Sequence, residues 1–131
     1  MHHRGRRALS FVIVGAVAAT VHWLLACAAM RGLAWPPQLA NLAGFVLAFG
    51  VSYAGHKRYS FRSGARHRDA LPRFAVVALS AFSLNGLLYQ MLLSAQLLPP
   101  EAALALVLLT VAAGTYLASR LWAFRPAPPA P

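Results

Sequence analysis

Acidic side chains are almost missing from this 131-residue chain, which holds 2 of them, Asp69 and Glu101, against 12 lysines and arginines. The two acids stand apart, so paired-carboxylate chemistry and carboxylate metal sites have no candidates. A lone cysteine, Cys27, excludes an intrachain disulfide. His2 and His3 are too few for a metal site. There is no Ser-His-Asp set able to assemble outside lipid and no glycine-rich phosphate loop, so no catalytic, cofactor-binding or metal-ligating residue is assigned. The chain does not read as an enzyme.

What is present is apolar. Hydrophobic residues make up 60% of the chain, charged ones 11%, and the mean hydropathy is +0.60. Crossing a hydrocarbon core of about 30 Å takes roughly 20 apolar residues as a helix. Four stretches qualify, at about 9–30, 38–55, 74–98 and 102–122, and backbone groups without water must bond within their own segment. The expected domain covers 7–125, flanked by a disordered basic segment at 1–6 and a disordered Ala/Pro tail at 126–131.

One pattern is written twice. Tyr53, Lys57, Tyr59, Phe61 and Arg62 are answered 63 positions later by Tyr116, Arg120, Trp122, Phe124 and Arg125. Phe11 with Phe74, Pro36 with Pro99 and Pro37 with Pro100 keep the same offset. A gapless duplication implies two copies of one membrane unit. Arginine and lysine fix their direction, because loops rich in these residues stay cytoplasmic. Arg4, Arg6 and Arg7 precede the first span; Lys57, Arg58, Arg62, Arg66, Arg68 and Arg73 fill the middle loop; Arg120 and Arg125 follow the last. The short connections carry Arg31 and Glu101. The expected fold is an all-α integral membrane protein of four transmembrane helices, two parallel two-helix repeats with both termini cytoplasmic.

A net charge of +10 could serve nucleic acid, but the cations cluster at helix ends without a recognition motif, and topology and anionic lipid account for them. Nucleic acid is not an expected partner. Leu24-Leu25-Ala26-Cys27 has the form of a lipoprotein cleavage box, yet the third span repeats the first in register, which favours a retained helix. Arg6-Arg7 before an apolar run is a still weaker twin-arginine signal.

In lipid, helices associate largely through small residues that permit close approach. Ala40, Gly44, Ala48 and Ser52 form such a face in the second span, and Gly15 with Ala19 offers another in the first. Polar groups within the spans are costly unless paired and so mark candidate function. Thr20 and His22 align with Ser83 and Asn85 under the 63-residue offset; Asn41, Gln90 and Thr110 stand singly. No intramembrane carboxylate accompanies His22, so a proton relay has no second station.

Gly15 and Thr20, the run Ser52-Tyr53-Ala54-Gly55-His56-Lys57-Arg58-Tyr59-Ser60-Phe61 and its echo Thr115 to Phe124 resemble the GtrA-like family over about 6–125. The most specific element is an aromatic, a basic residue and an aromatic-x-Phe box closing the second and fourth helices. Ser52-Tyr53 stands where members often have Asn-Phe, and His56 where they have Asn. The resemblance implies a multi-pass protein of the bacterial inner membrane in cell-surface polysaccharide synthesis, helping a polyprenyl-phosphate-linked sugar across the bilayer as a flippase does, for O-antigen or other envelope glycans. The alternative it implies is a membrane anchor for a polyprenyl-phosphate glycosyltransferase, the expected protein partner. Small drug exporters share the format but depend on a first-helix carboxylate that this chain lacks.

For the translocation reading, the cytoplasmic N-terminal ends of the first and third helices favour an anionic lipid phosphate. Arg7 and Arg73 stand there, with Lys57 and Arg120 at equivalent turns of the other helices. The sugar head is then expected near Thr20, His22, Ser83 and Asn85. So small a bundle encloses little space, so a homo-oligomer or a transferase complex is expected.

Overall fold

The computed structural model describes residues 2–55, 58 and 67–123, with side chains described at 9–55, 58, 71–72 and 75–115. Lys57, Tyr59, Phe61, Arg62 and the 126–131 tail lie outside these residues, as do the side chains of Arg7, Arg73, Tyr116, Arg120 and Trp122. Four helices follow in order: α1 (His2–Gly32), α2 (Pro37–Gly55), α3 (His67–Ala95) and α4 (Pro100–Ala123).

Two boundaries differ from expectation. α1 begins at His2, within the segment expected to be disordered, because nothing between His2 and the apolar run removes a backbone donor. α3 begins at His67 and carries Pro72 inside it, where the missing N–H leaves the carbonyl four residues earlier without a helical partner. Both C-termini beside the short connections end in a left-handed residue: Ala34 and Gln96 each have φ 53°. That conformation halts the helix and costs a non-glycine residue about 1 kcal/mol or more. The following helices start alike. The Ala40 N–H donates to the Pro36 carbonyl and the Ala103 N–H to that of Pro99, each at 3.0 Å.

Leu9–Gly32, Pro37–Gly55 and Ala75–Ala95 are long and apolar enough to cross a membrane; the apolar described part of α4, Pro100–Thr115, is shorter. Their outer faces carry the apolar bulk, with Leu87 67% and Leu109 70% exposed. In water this would be an unfavourable surface; against lipid it is the expected one.

Neighbouring helices run antiparallel in a ring in which α1 packs on α2, α2 on α3, α3 on α4 and α4 on α1. Gly55 lies against Val14 and Gly44 against His22, so the α1–α2 pairing descends one helix as it climbs the other. The core sits near the two short connections, built from Ala26, Ala29, Ala40, Tyr89, Ala103, Leu104 and Val107. Four alanines let the backbones close up, and Tyr89 and Leu104 fill the space between. Because lipid is as apolar as the core, dispersion and hydrogen bonds hold this end rather than expulsion from water. The Trp23 indole donates to the Glu101 carbonyl at 2.9 Å, the Tyr89 hydroxyl to the Pro100 carbonyl at 3.0 Å, and Arg31 pairs with the Glu101 carboxylate at 2.9 Å. Toward the chain termini the packing loosens. Among the described residues, α3 before Asn85 and α4 after Val107 bury no side chain.

Candidate functional site

Three polar side chains from three helices meet where the tight half of the bundle gives way to the loose one. His22 of α1 is 5% exposed, Asn41 of α2 0% and Asn85 of α3 3%. His22 Nε2–H donates to Asn41 Oδ1 at 2.7 Å, and Asn41 Nδ2 donates to Asn85 Oδ1 at 2.8 Å. Each donor in the series points the same way, and bonds so aligned polarise one another. The series ends on Asn85 Nδ2, which is buried and has no hydrogen-bond partner among the described residues.

Gly44 holds α1 to this register. A Cβ there would meet the His22 carbonyl oxygen at 2.5 Å and its Cδ2 at 2.7 Å, so glycine is what allows His22 to come within reach of Asn41. Ala40 and Ala48 on the same face are buried, and Ser52 is half-buried. Gly15 behaves otherwise: a Cβ on it would meet nothing within 4 Å, so it gives no close approach among the described residues, contrary to expectation.

Asn85, His22 and Ser52 line a cavity of about 190 Å³ that opens on the loose side of the network. Its remaining wall is alanine and apolar side chains, including Phe49 and the stacked pair Phe45 and Phe82, whose centroids are 4.2 Å apart. A second groove, between α3 and α4, shares Ala81 and Val111 with this cavity and is lined also by Leu84, Leu88, Thr110, Gly114 and Thr115.

Sequence reasoning placed four polar residues at this depth, and two of them face elsewhere. Thr20 and Ser83 are exposed and spend their hydroxyls on the carbonyls of Ala16 (2.8 Å) and Leu79 (2.9 Å), one turn earlier. Two residues are about 200° of helix, so when His22 and Asn85 face inward, Thr20 and Ser83 face out. Asn41 was the residue missed. The signal was available, since Asn41, Phe45, Ala48 and Ser52 recur at helical spacing beside the small-residue face.

Arg7, Arg73 and Arg120 belong to helical backbone, while their side chains and all of Lys57 fall outside the described residues. No group of three His, Cys, Asp or Glu side chains able to hold a metal occurs among the described residues. At the opposite end the Arg31 hydrogen bond, helped by Glu101's own backbone amide, holds the Glu101 carboxyl below the ordinary carboxylate range.

The family model described as GtrA/DPMS, transmembrane domain, matches residues 10–124. No curated protein and no solved structure matches the chain.

Proposed function

The chain belongs to the GtrA/DPMS transmembrane family, membrane domains of glycoconjugate synthesis, and from that membership we propose that it assists the passage of a polyprenyl-phosphate-linked sugar across the bacterial inner membrane. The observation that carries this reading is the buried polar series His22–Asn41–Asn85 beside an apolar cavity. Polar side chains in hydrocarbon are kept where something polar must be met.

In this reading the two hairpins are copies of one unit. His22 with Asn85, Ala26 with Tyr89 and Ala40 with Ala103 are equivalent positions, and all are buried. Both chain termini and the middle loop lie in the cytoplasm, α4 spans with the other helices, and the cavity opens toward the cytoplasmic half. The lipid phosphate meets the cationic helix ends, where Arg7, Lys57, Arg73 and Arg120 stand, and the polyprenyl chain lies along the groove between α3 and α4. Thr20 and Ser83 take no part. Any bond-making step belongs to a glycosyltransferase partner, and a second copy of the chain or that partner completes the path.

An anchor for such a transferase is the competing reading. It needs no interior polar group beyond helix-to-helix hydrogen bonds and gives the adjoining cavity no role. The full chain, reconstituted in vesicles with a polyprenyl-phosphate-linked sugar in one leaflet, separates the two. The double variant His22→Leu with Asn85→Leu is expected to lose movement of the lipid; unchanged movement defeats the polar-site reading, and an anchor would keep its transferase bound in either form. Reporter fusions after Arg66 and at Leu33 test the orientation, with the first expected inside the cell and the second outside.

A further inference from the structure

We propose that Asn85 Nδ2 is the ligand-contacting donor of a separate station at mid-depth in the bundle, one that takes an uncharged oxygen acceptor, a sugar hydroxyl or ring oxygen, and not the phosphate. This rests on the translocation reading for the identity of the sugar, but the site itself rests on geometry.

Three observations define it. Asn85 is 3% exposed, its Nδ2 lacks a partner among the described residues, and its side chain lines a cavity. A buried amide donor left unsatisfied costs about 1–3 kcal/mol, a cost that an incoming acceptor removes. Asn41 fixes which end of the Asn85 amide is already bonded. Asn41 Nδ2 donates to Asn85 Oδ1, so the oxygen is already used and the nitrogen is the end offered.

The charge of the ligand follows from the wall. Among the described residues lining the cavity none is an aspartate, glutamate, lysine or arginine. An anion there would be desolvated without a counter-charge, which is prohibitive beside one amide donor. A neutral hydroxyl needs only the hydrogen bond. The aromatic wall fits the same class, since the electron-rich ring faces of Phe suit the weakly positive C–H groups of a sugar ring. A volume of about 190 Å³ is below the ~300–1,000 Å³ of pockets for drug-sized ligands, so the station admits one small head group.

Position separates the station from the phosphate-binding ends. Asn85 follows Arg73 by twelve positions of α3, about 18 Å of helix axis, and the distance from Arg7 to His22 along α1 is longer still. A single sugar phosphate does not bridge that span. The head group therefore occupies the cationic ends and the Asn85 station in turn, not together, and the station holds a state in transit.

The test uses the whole chain in nanodiscs, with the Asn85 side-chain amide resonance assigned by comparison with Asn85→Leu. The probes are n-octyl glucoside, below its micellar concentration, and n-octyl phosphate. The expected result is a saturable shift of the wild-type Asn85 amide with the glucoside, none with the phosphate, and at least tenfold weaker glucoside binding in Asn85→Leu and in Asn41→Leu. An equal response to both probes, no response to the glucoside, or undiminished binding in the two variants overturns the proposal, the first by indicating occupation by the alkyl chain and the second by leaving water as the partner of Nδ2. Vesicle transport keeps this apart from the functional reading. If wild-type chain moves no lipid-linked sugar while the glucoside still shifts Asn85, translocation fails and the station stands; if transport is present and Asn85→Leu leaves it unchanged, the station fails and translocation stands.

Discussion

Replacing Gly44 by alanine should unlatch the polar series, and the size of the effect follows from the contact geometry. The added Cβ would sit 2.5 Å from the His22 carbonyl oxygen. Ordinary van der Waals contact requires about 1 Å more, and the obstructing atom belongs to the backbone of α1, so the helices themselves must separate. Overpacking of this kind costs about 1–3 kcal/mol. The gain in helix propensity from glycine to alanine returns up to about 1 kcal/mol, leaving a net loss near 1–2 kcal/mol. A shift of α1 by that distance stretches the 2.7 Å His22–Asn41 bond past the limit of a hydrogen bond. Equilibrium unfolding in mixed micelles reads the stability, and the Asn41 side-chain amide resonance reads the bond. Gly15→Ala is the control, because its Cβ meets nothing within 4 Å and the propensity gain stands alone. Should Gly44→Ala prove as stable as that control, with the Asn41 resonance unmoved, the close-approach account is wrong.

Ala34→Gly should stabilise the chain by about 1 kcal/mol, since Ala34 holds φ 53° and glycine adopts that conformation without strain; a lower unfolding midpoint in the same assay would contradict this. The Arg31–Glu101 pair predicts a pH response of definite sign. The folded carboxyl lies below its ordinary value, so its stabilisation is complete above that ordinary value and is lost as pH falls through the depressed folded one. With Arg31 75% exposed, solvent screens the pair and the effect is small. The wild type should lose slightly more thermal stability than Glu101→Gln between pH 5 and pH 3, and parallel loss in both would show that the pair contributes nothing.

Helix formation and the membrane as solvent were legible in the residues because both depend on local quantities. A run of apolar side chains long enough to span lipid must close its own hydrogen bonds, whatever surrounds it. The 63-residue offset likewise marked His22 and Asn85 as a related pair before any packing was known. The spans expected from about 38 and 102 begin at Pro37 and Pro100. α1 starts earlier than basic composition suggests, since the helix runs from His2.

Which polar residues meet was not legible, since that depends on the rotation and axial offset of each helix against its neighbours. Thr20 and His22 are two residues apart and end on opposite sides of α1. Asn41, a single polar residue in its span, becomes the bridge because Gly44 lets α1 come close enough for His22 to reach it. Apolar helices with cations at their ends could be read from the residues, since composition and period act within single segments. That three polar groups join in one directed series, ending on a donor unpartnered among the described residues, depends on packing, because hydrogen bonds between helices exist only once their separation and facing are fixed.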